Sequence, residues 1–81
     1  MNNMLNILEI LEKKRNMEDF ATFRKNIYRI GNAVKMVEAT GDVHHLRIAL
    51  AQSGLVQLED EIADPKSFCR NWRLAFALLM R

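Results

Sequence analysis

The sequence predicts an all-α fold, a compact bundle of four to five short helices around one long central helix at about residues 17–39. Three observations predict it. Phe20, Phe23, Ile27, Ile30, Val34 and Val37 recur at alternating steps of three and four, which puts them on one stripe of an α-helix. No segment shows the strict apolar–polar alternation of a strand. The breaks between periodic segments carry residues that start or stop helices.

The first helix is expected from about Asn3 to Lys14, with Met4, Leu5, Ile7, Leu8, Ile10 and Leu11 over more than half of its circumference. Lys13, Lys14 and Arg15 then fall at its C-terminal end, where cations suit the helix dipole. Asn16 is the expected N-cap of the second helix, Met17 to about Ala39, with Glu18 and Asp19 in its first turn. Gly31 lies inside that helix, either at a close helix crossing or as a tolerated defect costing about 1 kcal/mol. Gly41 closes the helix in a left-handed conformation.

Asp42 can cap a third helix, Val43 to about Gln52, ended by Ser53 and Gly54. A short fourth follows from Leu55 to Ile62, with Leu55, Leu58 and Ile62 on one face. The pattern leaves open whether these two are continuous. Asp64-Pro65 is a sharp boundary, an N-cap followed by proline at the first helical position. The last helix, from Pro65 to the end, is expected to bury Phe68, Trp72, Ala75, Phe76 and Leu79. The connecting loops are short, so neighbouring helices should pack roughly antiparallel.

Eighty-one residues fit one domain, 1–81. Hydrophobic residues make up 49% of the chain, while a chain this short buries only about 60–65% of its unfolded surface. The surplus points to a homo-oligomer, a dimer, or to a bound partner. The lone Cys69 cannot form an internal disulfide. Met1 to Leu5 has no basic start or small-residue cleavage site, so no secretory signal is expected. The longest charge-free apolar run, Leu74 to Met80, is far short of a membrane span. A cytoplasmic, soluble protein is expected.

Residues able to carry chemistry lack the neighbours that chemistry needs. His44 and His45 point about 100° apart on a helix and cannot chelate one ion as a pair. Cys69 beside Phe68 reads as a buried, inert thiol, and neither Ser53 nor Ser67 sits in a glycine-rich elbow. Glu59, Asp60 and Glu61 fan out around a helix and lack the alternating oxygens of a calcium loop. No phosphate-binding glycine loop is present. No catalytic residue, metal or cofactor is therefore expected.

Charge, in contrast, is segregated. The net charge is +2, yet Arg24, Lys25, Arg29 and Lys35 form one acid-free stretch, and Lys66, Arg70, Arg73 and Arg81 another. Acids Glu59, Asp60, Glu61 and Asp64 lie between. Met1, Met4, Met17, Met36 and Met80 suit a surface that re-packs around a partner. The expected function is a non-enzymatic interaction module: an adaptor, chaperone or inhibitor that occupies a surface of a larger protein. Its size would suit a phage or mobile-element protein. Phe20, Phe23, Ile27, Ile30, Val34, Val37, Trp72, Phe76 and Leu79 form the core or interface seam. The alternative is a nucleic-acid-binding regulator, with Arg24, Lys25, Arg29, Lys66, Arg70 and Arg73 on phosphates. A helix-turn-helix at Leu46–Lys66 fails, because three consecutive acids in its second helix would repel DNA.

Overall fold

The first helix, α1, spans Asn3–Met17 in a computed structural model that describes residues 3–81. The reading of Met1 and Asn2 as part of a non-secretory start lies outside these residues. Ile7 and Leu11, one turn apart, are fully buried. The helix runs past Lys14, so Asn16 is inside α1 and caps nothing. Lys14 pairs with Glu18 at 3.7 Å, four residues on. The boundary falls instead at Asp19, whose carboxylate accepts from the Thr22 backbone N–H at 2.8 Å and from its hydroxyl at 3.0 Å. This bidentate cap satisfies an orphan amide and fixes the start of α2, Phe20–Thr40. The same bonds hold the Asp19 carboxyl below its ordinary pKa, the Thr22 backbone bond foremost.

That shift of boundary corrects the apolar ladder. Phe20 becomes the first residue of α2 and is 62% exposed, outside the core. Phe23, Ile27, Ile30, Val34 and Val37 are buried, joined by Ala33. Gly41 ends α2 as expected, at φ 77°, donating its N–H to the Val37 carbonyl at 2.7 Å. A Cβ built on Gly31 would stand 3.9 Å from Trp72 Nε1, an ordinary contact, so no crossing there requires glycine. Gly31→Ala is expected to stabilise the protein by about 0.5–1 kcal/mol, through helix propensity and a less free unfolded chain. A lower urea midpoint in that variant would show that the α2–α4 approach does need the missing side chain.

Asp42 accepts from the His44 N–H at 2.9 Å and leads into α3, His44–Gln52, which buries Leu46, Ala49 and Leu50. Gly54, at φ 69°, then separates α3 from the next segment. Its N–H reaches the Ala51 carbonyl at 3.3 Å, and the Leu55 N–H reaches Leu50 at 2.9 Å. This is a Schellman ending, so the two helices are not continuous. The following segment is a 3-10 helix, Val56–Ala63, where the spacing had suggested an α-helix. The longer 3-10 rise lets its eight residues span about 16 Å rather than about 12 Å between Gly54 and Pro65. Leu55, Leu58 and Ile62 are buried all the same.

Ser53, at the end of α3, is 2% exposed and its hydroxyl has no hydrogen-bond partner. Ser53→Ala is expected to raise stability by about 1 kcal/mol, since it removes an unsatisfied buried group and leaves little void. A drop in melting temperature would mean that the hydroxyl is satisfied in solution.

Asp64 caps α4, Pro65–Leu79, accepting from the Ser67 N–H at 3.3 Å and the Ser67 hydroxyl at 2.8 Å. Phe68, Cys69, Trp72 and Ala75 are buried, and the Phe68 and Trp72 rings stack with centroids 6.2 Å apart. Phe76 and Leu79, expected in the core, are only partly buried against it. Leu74 and Leu78 face solvent, so the C-terminal apolar run is divided between core and surface.

α1 packs chiefly on α4 and α2 chiefly on α3, while the 3-10 helix bridges α3 and α4. Asn6 donates to Glu61 at 2.7 Å and ties α1 to the 3-10 helix. α2 and α4 run antiparallel and meet less extensively, with Tyr28 beside Phe76 and Glu38 beside Arg73. Among the described residues no strand is present, and no helix is long and apolar enough to cross a membrane. The all-α bundle is thus realised, with α2 as its longest helix at 21 residues.

Candidate functional site

The looser α2–α4 seam holds two hollows that meet at Arg73 and together form a groove along α2. Near the N-terminal half of α2 it is lined by Tyr28, Gly31, Asn32 and Lys35, facing Trp72 and Phe76 across a volume of about 270 Å³. Beyond Arg73 it widens to about 870 Å³, with Val37, Gly41, Pro65, Cys69 and Leu74 as its apolar lining. Tyr28 meets Phe76 edge-on, centroids 6.0 Å apart, and the Arg24 guanidinium lies 5.5 Å over the Tyr28 ring. Trp72 is 2% exposed and forms part of the floor. Its indole N–H finds no acceptor among the described residues.

Charge surrounds this apolar lining. Arg73 Nε donates to Glu38 Oε2 at 3.2 Å, and its Nη2 pairs with Oε1, so one ion pair spans the groove. That hydrogen bond holds the Glu38 carboxyl below its ordinary pKa. Asp64 is held low as well, by its bonds from Ser67 first and then by the fields of Arg70 and Lys66. Arg24, Lys35, Lys66, Arg70 and Arg73 thus face two carboxylates, Glu38 and Asp64, a local charge of +3. The other seven cations and eight acids of the chain leave the remainder at −1. The segregation along the sequence becomes a positive face in three dimensions.

The six cations expected to contact a partner do not all gather there. Lys66, Arg70 and Arg73 line the groove, and Arg24 stands beside it over the Tyr28 ring. Lys25 is exposed but lines neither part of it. Arg29 turns toward α3, donating to the Gln52 carbonyl at 3.1 Å and to Asn26 at 3.2 Å, and so braces the fold. Of the seam residues, Trp72 and Phe76 also form the groove, Leu79 packs partly on the core, and Phe20 stands in solvent. Tyr28, Asn32 and Lys35 were not assigned to a shared site. Their spacing of four and three marks one face of α2, but only the position of α4 makes that face a wall.

The thiol and two of the three consecutive acids are accounted for locally. Cys69 is 3% exposed, and burial first, then the nearby Glu38 charge, pushes its thiol pKa up, away from the reactive thiolate. Glu59 pairs with Arg47 at 3.9 Å and Glu61 with Asn6. Among the described residues no group of three or more His, Cys, Asp or Glu side chains converges as metal ligands would. Comparison with protein-family models, with curated proteins and with solved structures found no match, so the geometry of the groove carries the functional argument alone.

Proposed function

We propose that this protein is a small non-enzymatic interaction module that acts by docking the α2–α4 face on a larger protein. The observation that carries this reading is an apolar, aromatic-lined groove rimmed by net positive charge on an otherwise folded bundle. Aromatic and Arg side chains clustered at the centre of such a face are the groups that dominate protein interfaces. The surrounding cations steer the encounter, and apolar contact supplies the affinity. An adaptor, chaperone or inhibitor all fit, and the single unpaired thiol suits a cytoplasmic setting.

Self-association, a homodimer, belongs to the same reading but to a different face. Two copies joined groove to groove would oppose like charges. Met17 and Phe20, 81% and 62% exposed at the α1–α2 corner, supply an alternative apolar surface. Sedimentation at increasing concentration tests it, and a constant monomeric mass removes the dimer.

The nucleic-acid reading draws less support, because two of its six cations do not join the others: Arg29 is engaged by the Gln52 carbonyl, and Lys25 lines no part of the groove, whose walls are largely apolar. The deciding experiment is affinity capture from native-host lysate, with and without nuclease and over a salt series. A stoichiometric protein that survives both treatments supports docking. Nucleic acid recovered with a steep salt dependence replaces it.

A further inference from the structure

We infer that the α2–α4 groove receives an acidic amphipathic helix of the partner protein, with one carboxylate reaching the indole N–H of Trp72. The inference rests on the docking reading above and adds the chemistry of the docked segment. Four observations carry it.

The groove walls are helices whose backbone groups are bonded internally along the interior of α2 and α4. An extended segment laid between them would find few main-chain donors or acceptors and would bury unsatisfied amides. A helix satisfies its own backbone and needs only side-chain contacts, the helix-in-groove mode. From Tyr28 to Gly41 the groove follows α2 for about 20 Å, room for about three to four turns.

The charge around it selects acids. Arg24 and Lys35 form no ion pair within the described residues, and Lys66 and Arg70 together face only Asp64, which also caps α4. A basic or neutral helix would desolvate these cations without compensating them.

Trp72 places a donor at the floor. Its side chain is almost wholly buried, its N–H lies on the side of Gly31, and none of the described residues accepts from it. The carbonyls of a docked helix are already engaged, so the acceptor must come from a side chain, and a carboxylate fits both this donor and the surrounding field.

The ion pair across the groove is also exchangeable. Arg73 and Glu38 are 55% and 42% exposed, so the pair is weakly held, and a partner carboxylate can take Arg73 from Glu38.

The test replaces Tyr28 by the photo-reactive p-benzoylphenylalanine, which keeps an aromatic ring at that site, in the full chain. The protein is irradiated in native-host lysate, and the cross-linked peptide is sequenced. A second preparation carries the probe at Phe20, outside the groove. The expected product at Tyr28 is one protein segment of net negative charge with apolar residues at helical spacing. Its yield should fall about tenfold or more with Lys35→Glu plus Arg70→Glu, and stay level with Lys13→Glu plus Lys25→Glu, an equal charge change at exposed positions outside the groove. Trp72→Phe, which keeps an aromatic ring but removes the N–H, should lower the yield several-fold with circular dichroism unchanged. A neutral, basic or proline-rich segment at Tyr28, a second copy of this chain, a nucleotide or a lipid overturns the inference. A protein segment of the wrong chemistry at Tyr28 overturns the inference while docking through this face stands, and protein captured only at Phe20, or at neither position, overturns both.

Discussion

Ile30→Asp is expected to leave a chain with no cooperative folding transition. Ile30 has no exposed surface and sits midway along the buried stripe of α2, among Ile27, Val34 and residues of the other helices. Removing its side chain costs about 2–5 kcal/mol through lost burial and the cavity left behind. The new carboxyl must then be buried without a partner, in charged form or protonated against its preference, at a cost of several kcal/mol more. A domain of 81 residues has a total stability of about 4–12 kcal/mol, so the two penalties together reach the whole of it. Far-UV circular dichroism with urea titration reads the result. A variant that keeps a helical spectrum and a sharp transition, and loses only partner capture, would show that the stripe is an interface and not the core.

Trp72→Ala is expected to cost about 3–5 kcal/mol, and to do so before any partner is considered. Its ring stacks on Phe68 beneath the groove, so truncation opens a void reaching from the core to the surface. The urea midpoint should fall accordingly, and an unchanged midpoint would mean that the indole is not packed as described. The contrast with Tyr28 is useful. Tyr28 is 46% exposed and contacts Phe76 only by its edge, so Tyr28→Ala should change stability by about 1 kcal/mol or less. Loss of partner binding in that variant therefore reports on the groove, whereas loss in Trp72→Ala reports on folding as well.

Much of the architecture was legible because its signals are local. A three–four ladder, Gly41 after it, and Asp64-Pro65 before the last helix each act through nearby backbone groups, and each lies where the chain alone places it. The start of α2 was misread because Asn16 and Asp19 are both competent caps. Only the hydrogen bonds from Thr22 and the Lys14–Glu18 pair decide between them. Phe20 fell out of the core for the same reason. The 3-10 conformation of Val56–Ala63 was invisible, since burying Leu55, Leu58 and Ile62 at steps of three and four fits either helix type. The groove was legible only in part. Arg24, Lys66, Arg70 and Arg73 stand out as charges, but Arg29 is a charge of the same kind engaged by Gln52 on another helix. Tyr28 and Lys35 acquire meaning from α4, more than thirty residues away in sequence, and no local pattern announces that neighbour.

The packing of α1 on α4 joins the two ends of the described chain, and this orders events during synthesis. α2 and α3, adjacent in sequence, can pair as soon as both have left the ribosome. Ile7 and Leu11 emerge early but have no full apolar surface to cover them until Phe68, Trp72 and Ala75 follow, and an isolated helix of fifteen residues is marginal in water. α4 is also one wall of the groove. An unfinished chain therefore exposes apolar residues of α1 and lacks the groove, so the proposed docking face arrives in the same step that closes the core.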